Sequence, residues 1–483
     1  MTFYEPEQQD DSAMKTAAII GGGVIGGGWL ARFMLNGWDV RLYDPDPDCV
    51  RKVEAVLANA RHALPMLYDF ALPTEGQLIV CATLAEAVVG ADWIQESVPE
   101  RLDIKHATFT DIQAHCEPGA IIGSSTSGFK PSQLQDSATA PAQIIVTHPF
   151  NPVYLLPLIE LVPSAANSEV FIERAQNILR GLGFYPLRVR KEIDAHIADR
   201  FLEAVWREGL WLVKDGIATT AEIDDAIRYG FGLRWAQMGL FETFRIAGGE
   251  AGMKHFIAQF GPCLGLPWTK LMDVPDLTEE LTEKIAAQSD AQSQGKSIRD
   301  LERLRDNNLI VMIRALKQQN SAAGALLNQH EAGLRPVLDI SQPMITVSRH
   351  VPVDWTDYNG HMNEGRYGQV FSDAADAVMV YVGADAAYIK AGQSYFTVET
   401  TVKYLAETHA GQSIKVHSRV TVGAGKKLGL FHEMRHADGT IYATCAQLMI
   451  HVDLGSRHSS LPSQAVQDKV EALFAAHTSE MQQ

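Results

Sequence analysis

Residues 17–26 read AAIIGGGVIG, an apolar run that breaks into glycine and resumes as GGGWLARFML with helical spacing. Gly21, Gly23 and Gly26 match G-x-G-x-x-G. The first permits a tight turn, the second lets a pyrophosphate approach the backbone, and the third lets helix and strand pack closely. A helix starting here aims unpaired N–H groups and a partial positive charge at the turn. The next apolar stretch, DVRLYD, ends on Asp44. A carboxylate at that place accepts hydrogen bonds from ribose hydroxyls and repels a 2′-phosphate. The expected ligand is therefore NAD rather than NADP, held by Gly21, Gly22, Gly23, Val24, Ile25, Gly26 and Asp44.

What surrounds this turn supports the assignment. TAAII (16–20), DVRLYD (39–44), QLIVCA (77–82), DWIQES (92–97), AIIGSS (120–125) and QIIVTH (143–148) are short β-rich runs, and helical stretches separate the earlier ones. That order predicts an α/β, Rossmann-type doubly wound domain with a parallel sheet over residues 15–192. Residues 193–327 read as an all-α second domain. HIADRFLEAVWREGLWLVKDG, for example, repeats apolar residues at three-to-four spacing and stops at Gly216. Residues 328–343 read as a linker. Residues 344–460 follow with one strand, a helix over about 364–381 and four strands, which predicts a C-terminal α+β domain with an antiparallel sheet wrapped on one helix. The acidic stretch 1–14 reads as a disordered tail without the features of a signal peptide. Residues 461–483 read as a polar tail with a short helix.

Charge and cysteine usage narrow the partners. A formal net charge of −17 over 483 residues argues against nucleic acid, which needs clustered Lys and Arg. No apolar run approaches the ~20 residues of a membrane helix. Cys49, Cys81, Cys116, Cys263 and Cys445 have no paired spacing, which suits reduced thiols in a cytoplasm and gives no metal-site pattern.

Three further stretches place polar residues just past strand ends, where open α/β sheets bind ligands: SSTSG (124–128), THPFNP (147–152) and LIELVP (159–163). Oxidising an alcohol by hydride transfer requires a base for the hydroxyl proton, and histidine suits that task. His148 is the candidate, Glu160 the carboxylate that would fix its tautomer, and Ser127 a hydrogen-bond partner for the substrate oxygen.

QESVPERLDIKHATF, SSTSG and HPFNPVYLLPLIELV occur in an order and spacing that resemble the L-3-hydroxyacyl-CoA dehydrogenase family over residues 15 to about 320. The resemblance implies catalytic roles for Ser127, His148 and Glu160, and cofactor contacts from Glu100 and Lys105. It also implies a substrate contact at Asn151 and a helical domain that closes over the cleft and forms a homodimer. One departure stands out, because Asp199 replaces the usual Asn. An added carboxylate suits a cationic substrate. The aromatics Trp206, Trp211, Tyr229, Phe231, Trp235, Phe241, Phe244 and Trp268 offer faces for a quaternary ammonium, although most of them read as packing for a core. GLRWAQMGLFETFRIAGGEAGMKHFIAQFGPCLGLPWTKLMD is similar to the branch of the family that oxidises L-carnitine. Arg200 and Arg234 are both candidates for the substrate carboxylate.

A second constellation lies in DWTDYNGHMNEGRYG, residues 354–368. Asp357, Gly360 and Tyr367 fit the pattern of the hotdog-fold acyl-CoA thioesterases, and the strand order read above agrees with that fold. The resemblance makes Asp357 the base or nucleophile and His361 and Asn359 its polar neighbours. Backbone N–H groups around Gly360 and His361 would face the oxyanion. Asn363 reads as a helix cap. Together the parts imply dehydrogenation of carnitine and release of glycine betaine from betainyl-CoA. Two other readings stand at this point: a short-chain 3-hydroxyacyl-CoA dehydrogenase fused to a 3-ketoacyl-CoA thioesterase, and a crystallin-like NAD-binding structural protein.

Overall fold

The computed structural model describes residues 15–247, 250, 252–265, 267, 269, 276–334, 338 and 343–479. The expected tail 1–14 and Trp268 lie outside the described residues. The chain divides into two units, residues 1–61 with 74–330 and residues 62–73 with 331–483.

The first unit is built on an eight-stranded sheet: β1 (Thr16–Ile20), β2 (Asp39–Tyr43), β3 (Leu78–Val80), β4 (Trp93–Glu96), β5 (Ile121–Ser124), β6 (Ile144–Pro149), β7 (Leu158–Val162) and β8 (Tyr185–Arg188). Their spatial order is β3-β2-β1-β4-β5-β6-β7-β8. The chain reverses direction of winding between β1 and β4, the place where doubly wound sheets bind ligands. Ile20, Ile94, Ile122, Ile144 and Val146 are buried in the core of this sheet, which helices cover. The sheet differs from the parallel one expected, because β7 runs antiparallel to β6. A short connection, residues 150–157, turns the chain back directly instead of through a crossover helix.

Helices follow from Ala198. The helix Ile298–Gln318 starts on a capping box between Ser297 and Asp300. It is joined to the sheet region by the Tyr154 hydroxyl, which donates to Asp306 Oδ2 at 2.7 Å. The helix Ala198–Lys214 buries only Val213 within the described chain and leaves Phe201, Leu202 and Trp206 exposed. Among the described residues the aromatics of this region are mostly at the surface, Tyr229 and Phe241 included, and none of those named above is fully buried.

In the second unit β9 (Met344–His350), β10 (Gln393–Tyr404), β11 (Ser413–Ala424), β12 (Lys427–Arg435) and β13 (Ile441–Asp453) form an antiparallel sheet in the order β10-β13-β12-β11-β9. The helix Glu364–Val382 lays Val370, Phe371, Ala374 and Val378 into the core. Asn363 caps it, accepting from Gly365 N at 3.0 Å, as the sequence predicts. Gly383, at φ 88°, ends it in the left-handed region that favours glycine. Three boundaries differ from expectation. The helix Ala322–Ala332 occupies the first part of the predicted linker. The C-terminal stretch is not a polar tail, because its helix Gln464–Ser479 buries Val466, Val470 and Leu473. Their i, i+4, i+7 spacing is an amphipathic stripe hidden among polar neighbours. Finally, residues 62–73, predicted as part of the nucleotide-binding domain, belong to this unit, where Arg349 is ion-paired to both Asp69 and Asp373.

Candidate active sites

The glycine turn behaves as its spacing predicts. Gly21 has φ 99°, and a Cβ there would lie 2.6 Å from the Ser97 carbonyl oxygen. A Cβ on Gly26 would lie 1.8 Å from the Gly21 carbonyl oxygen, whereas Gly23 faces open space. The helix Val24–Leu35 has an extended Gly23 at its N-cap and no capping side chain, so its first N–H groups are available to an anion. Asp44 accepts from Gly22 N at 2.6 Å and from Asp46 N at 2.8 Å. Gly21, Gly22, Gly23, Asp44 and Asp46 line a cleft of about 920 Å³ together with Ser97 and Val98. The residues present therefore fit a dinucleotide: an open glycine, free donors and a carboxylate at the end of β2. Gly26→Ala is expected to destabilise the first unit by about 1–3 kcal/mol through overpacking, read from denaturant midpoints. Asp44→Ala removes a charged acceptor and is expected to raise KM for NAD by roughly tenfold to 100-fold, measured by initial rates.

His148 and Glu160 face each other across the β6–β7 pair, in register. His148 Nδ1 lies 3.0 Å from Glu160 Oε2. A carboxylate only accepts, so Nδ1 carries the proton and the lone pair of the neutral ring sits on Nε2. Glu160 Oε1 accepts from Ile197 N and Ala198 N, both at 2.8 Å. Burial pushes the Glu160 carboxyl up, but the hydrogen bonds from His148, Ala198 and Ile197 outweigh it and hold the group below the usual carboxylate range. A depressed pKa stabilises the fold above the group's ordinary value of 4.5, and that contribution is lost as pH falls through the lower folded value. Glu160→Gln is therefore expected to flatten the acid-side decline in stability, read from denaturant midpoints against pH.

His196 stands next to the dyad. It is fully buried, its ring centroid is 5.5 Å from that of His148, and its Nε2 donates to the Thr126 carbonyl at 3.3 Å. Burial and the neighbouring His148 charge both push its pKa down. Asp199, in the first turn of the helix Ala198–Lys214, interacts electrostatically with His148, Glu160 and His196. Burial pushes its carboxyl up, and the His148 charge opposes that. Asn151 is exposed on the connection between β6 and β7.

Glu100 and Lys105 pair with each other beside the loop that carries Ser127. Neither is among the residues lining the 920 Å³ cleft. Lys105 is 1% exposed and holds Glu96 Oε1 at 2.8 Å and Glu100 Oε2 at 3.2 Å. Glu100 Oε1 accepts from the Thr126 hydroxyl and from Ser127 N and Gly128 N, the latter two at 3.1 Å. The pair thus braces the loop that presents the exposed Ser127. His196 joins the same loop to the dyad through Thr126.

In the second unit Asp357 Oδ1 accepts from Asn359 N at 2.8 Å, and Asp357 N donates to the His361 carbonyl at 2.9 Å. Gly360, at φ 78°, makes the turn between them. Its N–H donates to the Asp357 carbonyl at 3.0 Å, so it is not free for the oxyanion role expected of it. Asp357 and His361 are half-buried, Asn359 is exposed and Tyr367 is buried beside Tyr404. His361 Nε2 lies 3.4 Å from Glu407 Oε2, and its ring meets His409 edge-on at 4.7 Å.

Residues 16–193 match the family described as 3-hydroxyacyl-CoA dehydrogenase, NAD binding domain, and residues 196–284 match its C-terminal domain. Residues 351–470 match the thioesterase-like superfamily. A protein of Ruegeria pomeroyi named L-carnitine dehydrogenase/betainyl-CoA thioesterase is 63% identical over 461 residues, covering 94% of both chains. The chain belongs to this dehydrogenase–thioesterase family. A shorter relative from Pseudomonas putida, named L-carnitine dehydrogenase, is 49% identical and covers 64% of this chain and 97% of its own. The solved structure of an NAD-dependent 5-formyl-3-hydroxy-2-methylpyridine 4-carboxylic acid 5-dehydrogenase shares the fold of the first part. It has a TM-score of 0.53 and 24% identity over 63% of this chain and 99% of that one. Members of the family are enzymes with an oxidoreductase part and a hydrolase part, and so is this chain. No helix among the described residues is long and apolar enough to cross a membrane.

Sequence reasoning missed Glu96, Thr126, His196, Glu407 and His409, which the fold brings against the candidate site residues. Glu96 sits in QESVPE, and a carboxylate inside an apolar strand is itself a signal, since a buried charge needs a partner. No local pattern marks Glu407 or His409, which reach His361 only through chain pairing.

Proposed function

We propose that the first part oxidises L-carnitine to 3-dehydrocarnitine with NAD, and that the second hydrolyses betainyl-CoA to glycine betaine and CoA. The observation that carries this reading is the buried His148–Glu160 dyad with Asp199 beside it. His148 Nε2 takes the hydroxyl proton, and Glu160 holds the resulting imidazolium and keeps the ring in the tautomer that can act as base. NAD, when bound, accepts the hydride from carbon 3. Gly21, Gly22, Gly23, Val24, Ile25, Gly26 and Asp44 would hold it, and Glu100 and Lys105 act through the loop bearing Ser127. Ser127 and Asn151 contact the substrate, and Asp199 favours the trimethylammonium end. In the second part Asp357 removes a proton from water as it attacks the thioester carbonyl, with His361 and Asn359 orienting the reactants. The C–S bond breaks and CoA leaves as its thiol. Exposed Phe201, Leu202 and Trp206 on one helix support a homodimer, and the chain works in the cytoplasm without nucleic acid or membrane.

L-carnitine should give NADH with the full-length chain, D-carnitine should not, and betainyl-CoA should release a free thiol. NADH formation with 3-hydroxybutyryl-CoA and none with L-carnitine would overturn the first half in favour of the acyl-CoA reading.

A further inference from the structure

His361, Glu407 and His409 bring one ligand atom each to within 4.8 Å of one another. The backbone enforces this. His361 and His409 form an antiparallel bridge, and Met362 N donates to the Thr408 carbonyl at 2.7 Å. Directly opposed residues project to the same side, and so does a residue two positions away on an extended segment. Glu407 is two positions from His409, so all three side chains share one face. The segment is further held by Gln412 Oε1, which accepts from His409 N at 2.7 Å and from the Thr408 hydroxyl at 2.9 Å.

Two features go beyond proximity. His409 Nδ1 lies 3.1 Å from the Gly360 carbonyl oxygen. A carbonyl only accepts, so this nitrogen is the protonated one and the lone pair of the neutral ring is left on Nε2. Metal-binding histidines are oriented in this way, with the second ring nitrogen donating to a carbonyl or carboxylate. In addition, His361 Nε2 and Glu407 Oε2 are 3.4 Å apart. Two ligands on a tetrahedral ion with bonds of about 2.0–2.1 Å stand roughly 3.4 Å apart. The ligand atom of His409 lies within 4.8 Å of the other two, and the side chains of His361 and Glu407, 35% and 72% exposed, have room to rotate toward it.

We propose that His361, Glu407 and His409 bind a divalent transition-metal cation of the zinc class. Two imidazoles and a carboxylate select such an ion over magnesium or calcium, which take oxygen ligands. Three protein ligands leave a fourth position for water. The inference goes beyond the proposed hydrolysis, which is written without a metal. The ion would lie beside the turn that carries Asp357, with His361 binding it through Nε2.

The test is cobalt and zinc binding to the untagged full-length chain by equilibrium dialysis, with the visible absorption of the cobalt form as a second readout. One equivalent of zinc should bind, and a large excess of magnesium should not displace it. His361→Ala, His409→Ala and Glu407→Gln should each weaken binding at least about tenfold and alter the cobalt spectrum. His409→Gln, closer in shape, separates loss of a ligand from loss of folding when thermal melts are compared. Unchanged affinity and spectrum in the His361→Ala/His409→Ala chain, or no retention of metal by the folded wild-type chain, would overturn the proposal. Dialysis does not depend on which thioester the domain cleaves, so failure of the betainyl-CoA assay and failure of metal binding are separate results.

Discussion

His148→Ala is expected to lower kcat for L-carnitine oxidation by about 10²–10⁴-fold, the span that a positioned general base contributes. KM for NAD should stay within a small factor, because the dinucleotide cleft is built from the β1 turn and Asp44 and His148 is not in its lining. Thioester hydrolysis by the same preparation should be unchanged, which also controls for folding. Glu160→Gln makes a sharper test. The amide can still accept from Ile197 N and Ala198 N, so the shape of the site is kept. Its NH₂ would face His148 Nδ1, however, and would oblige that nitrogen to accept. The proton then moves to Nε2, and the base is lost without any loss of the ring. A triad carboxylate changed to its amide costs about 10⁴-fold in kcat for this reason. Equal damage from His148→Ala and Glu160→Gln, measured by NADH formation, would mark the two as one unit. If Glu160→Gln kept wild-type kcat, the tautomer argument would fail.

Asp357→Ala is expected to remove thioester hydrolysis by about 10²–10⁴-fold while NADH formation from L-carnitine persists. Asp357→Asn separates chemistry from shape. Asn can still accept from Asn359 N and so keep the turn through Gly360, but it cannot take a proton from water. Loss of activity in both variants supports a base, read by thiol release from betainyl-CoA. Recovery in Asp357→Asn alone would reduce Asp357 to a residue that shapes the turn.

Much of this was legible in the chain. The glycine turn, Asp44 and the strand that precedes them carry their own geometry, because each glycine answers a local steric demand. Asn363 as a cap and the helix that follows it were equally readable, since a cap and an apolar stripe are short-range signals. What escaped reading depends on contacts distant in sequence. The reversal of β7 against β6 is invisible in composition, since both strands read as buried apolar runs. Lys105 looked available for a ligand, yet Glu96 and Glu100 enclose it, and only the fold brings those carboxylates to one helix face. The C-terminal helix is expected from the sequence, but its packing is not, because its three buried apolar residues are diluted by polar ones.

The reversed strand has a consequence for how such enzymes vary. Acid and base partners are held apart by the inter-strand spacing of a sheet, a length fixed by peptide hydrogen bonds and indifferent to the loop that joins the strands. Within residues 150–157 the exposed Asn151 can change to suit a new substrate without retuning the proton-transfer pair, while the buried Val153, Tyr154 and Leu155 keep the turn packed. A single-residue slip within either strand would instead turn one of the two to the opposite side of the sheet and silence the enzyme outright.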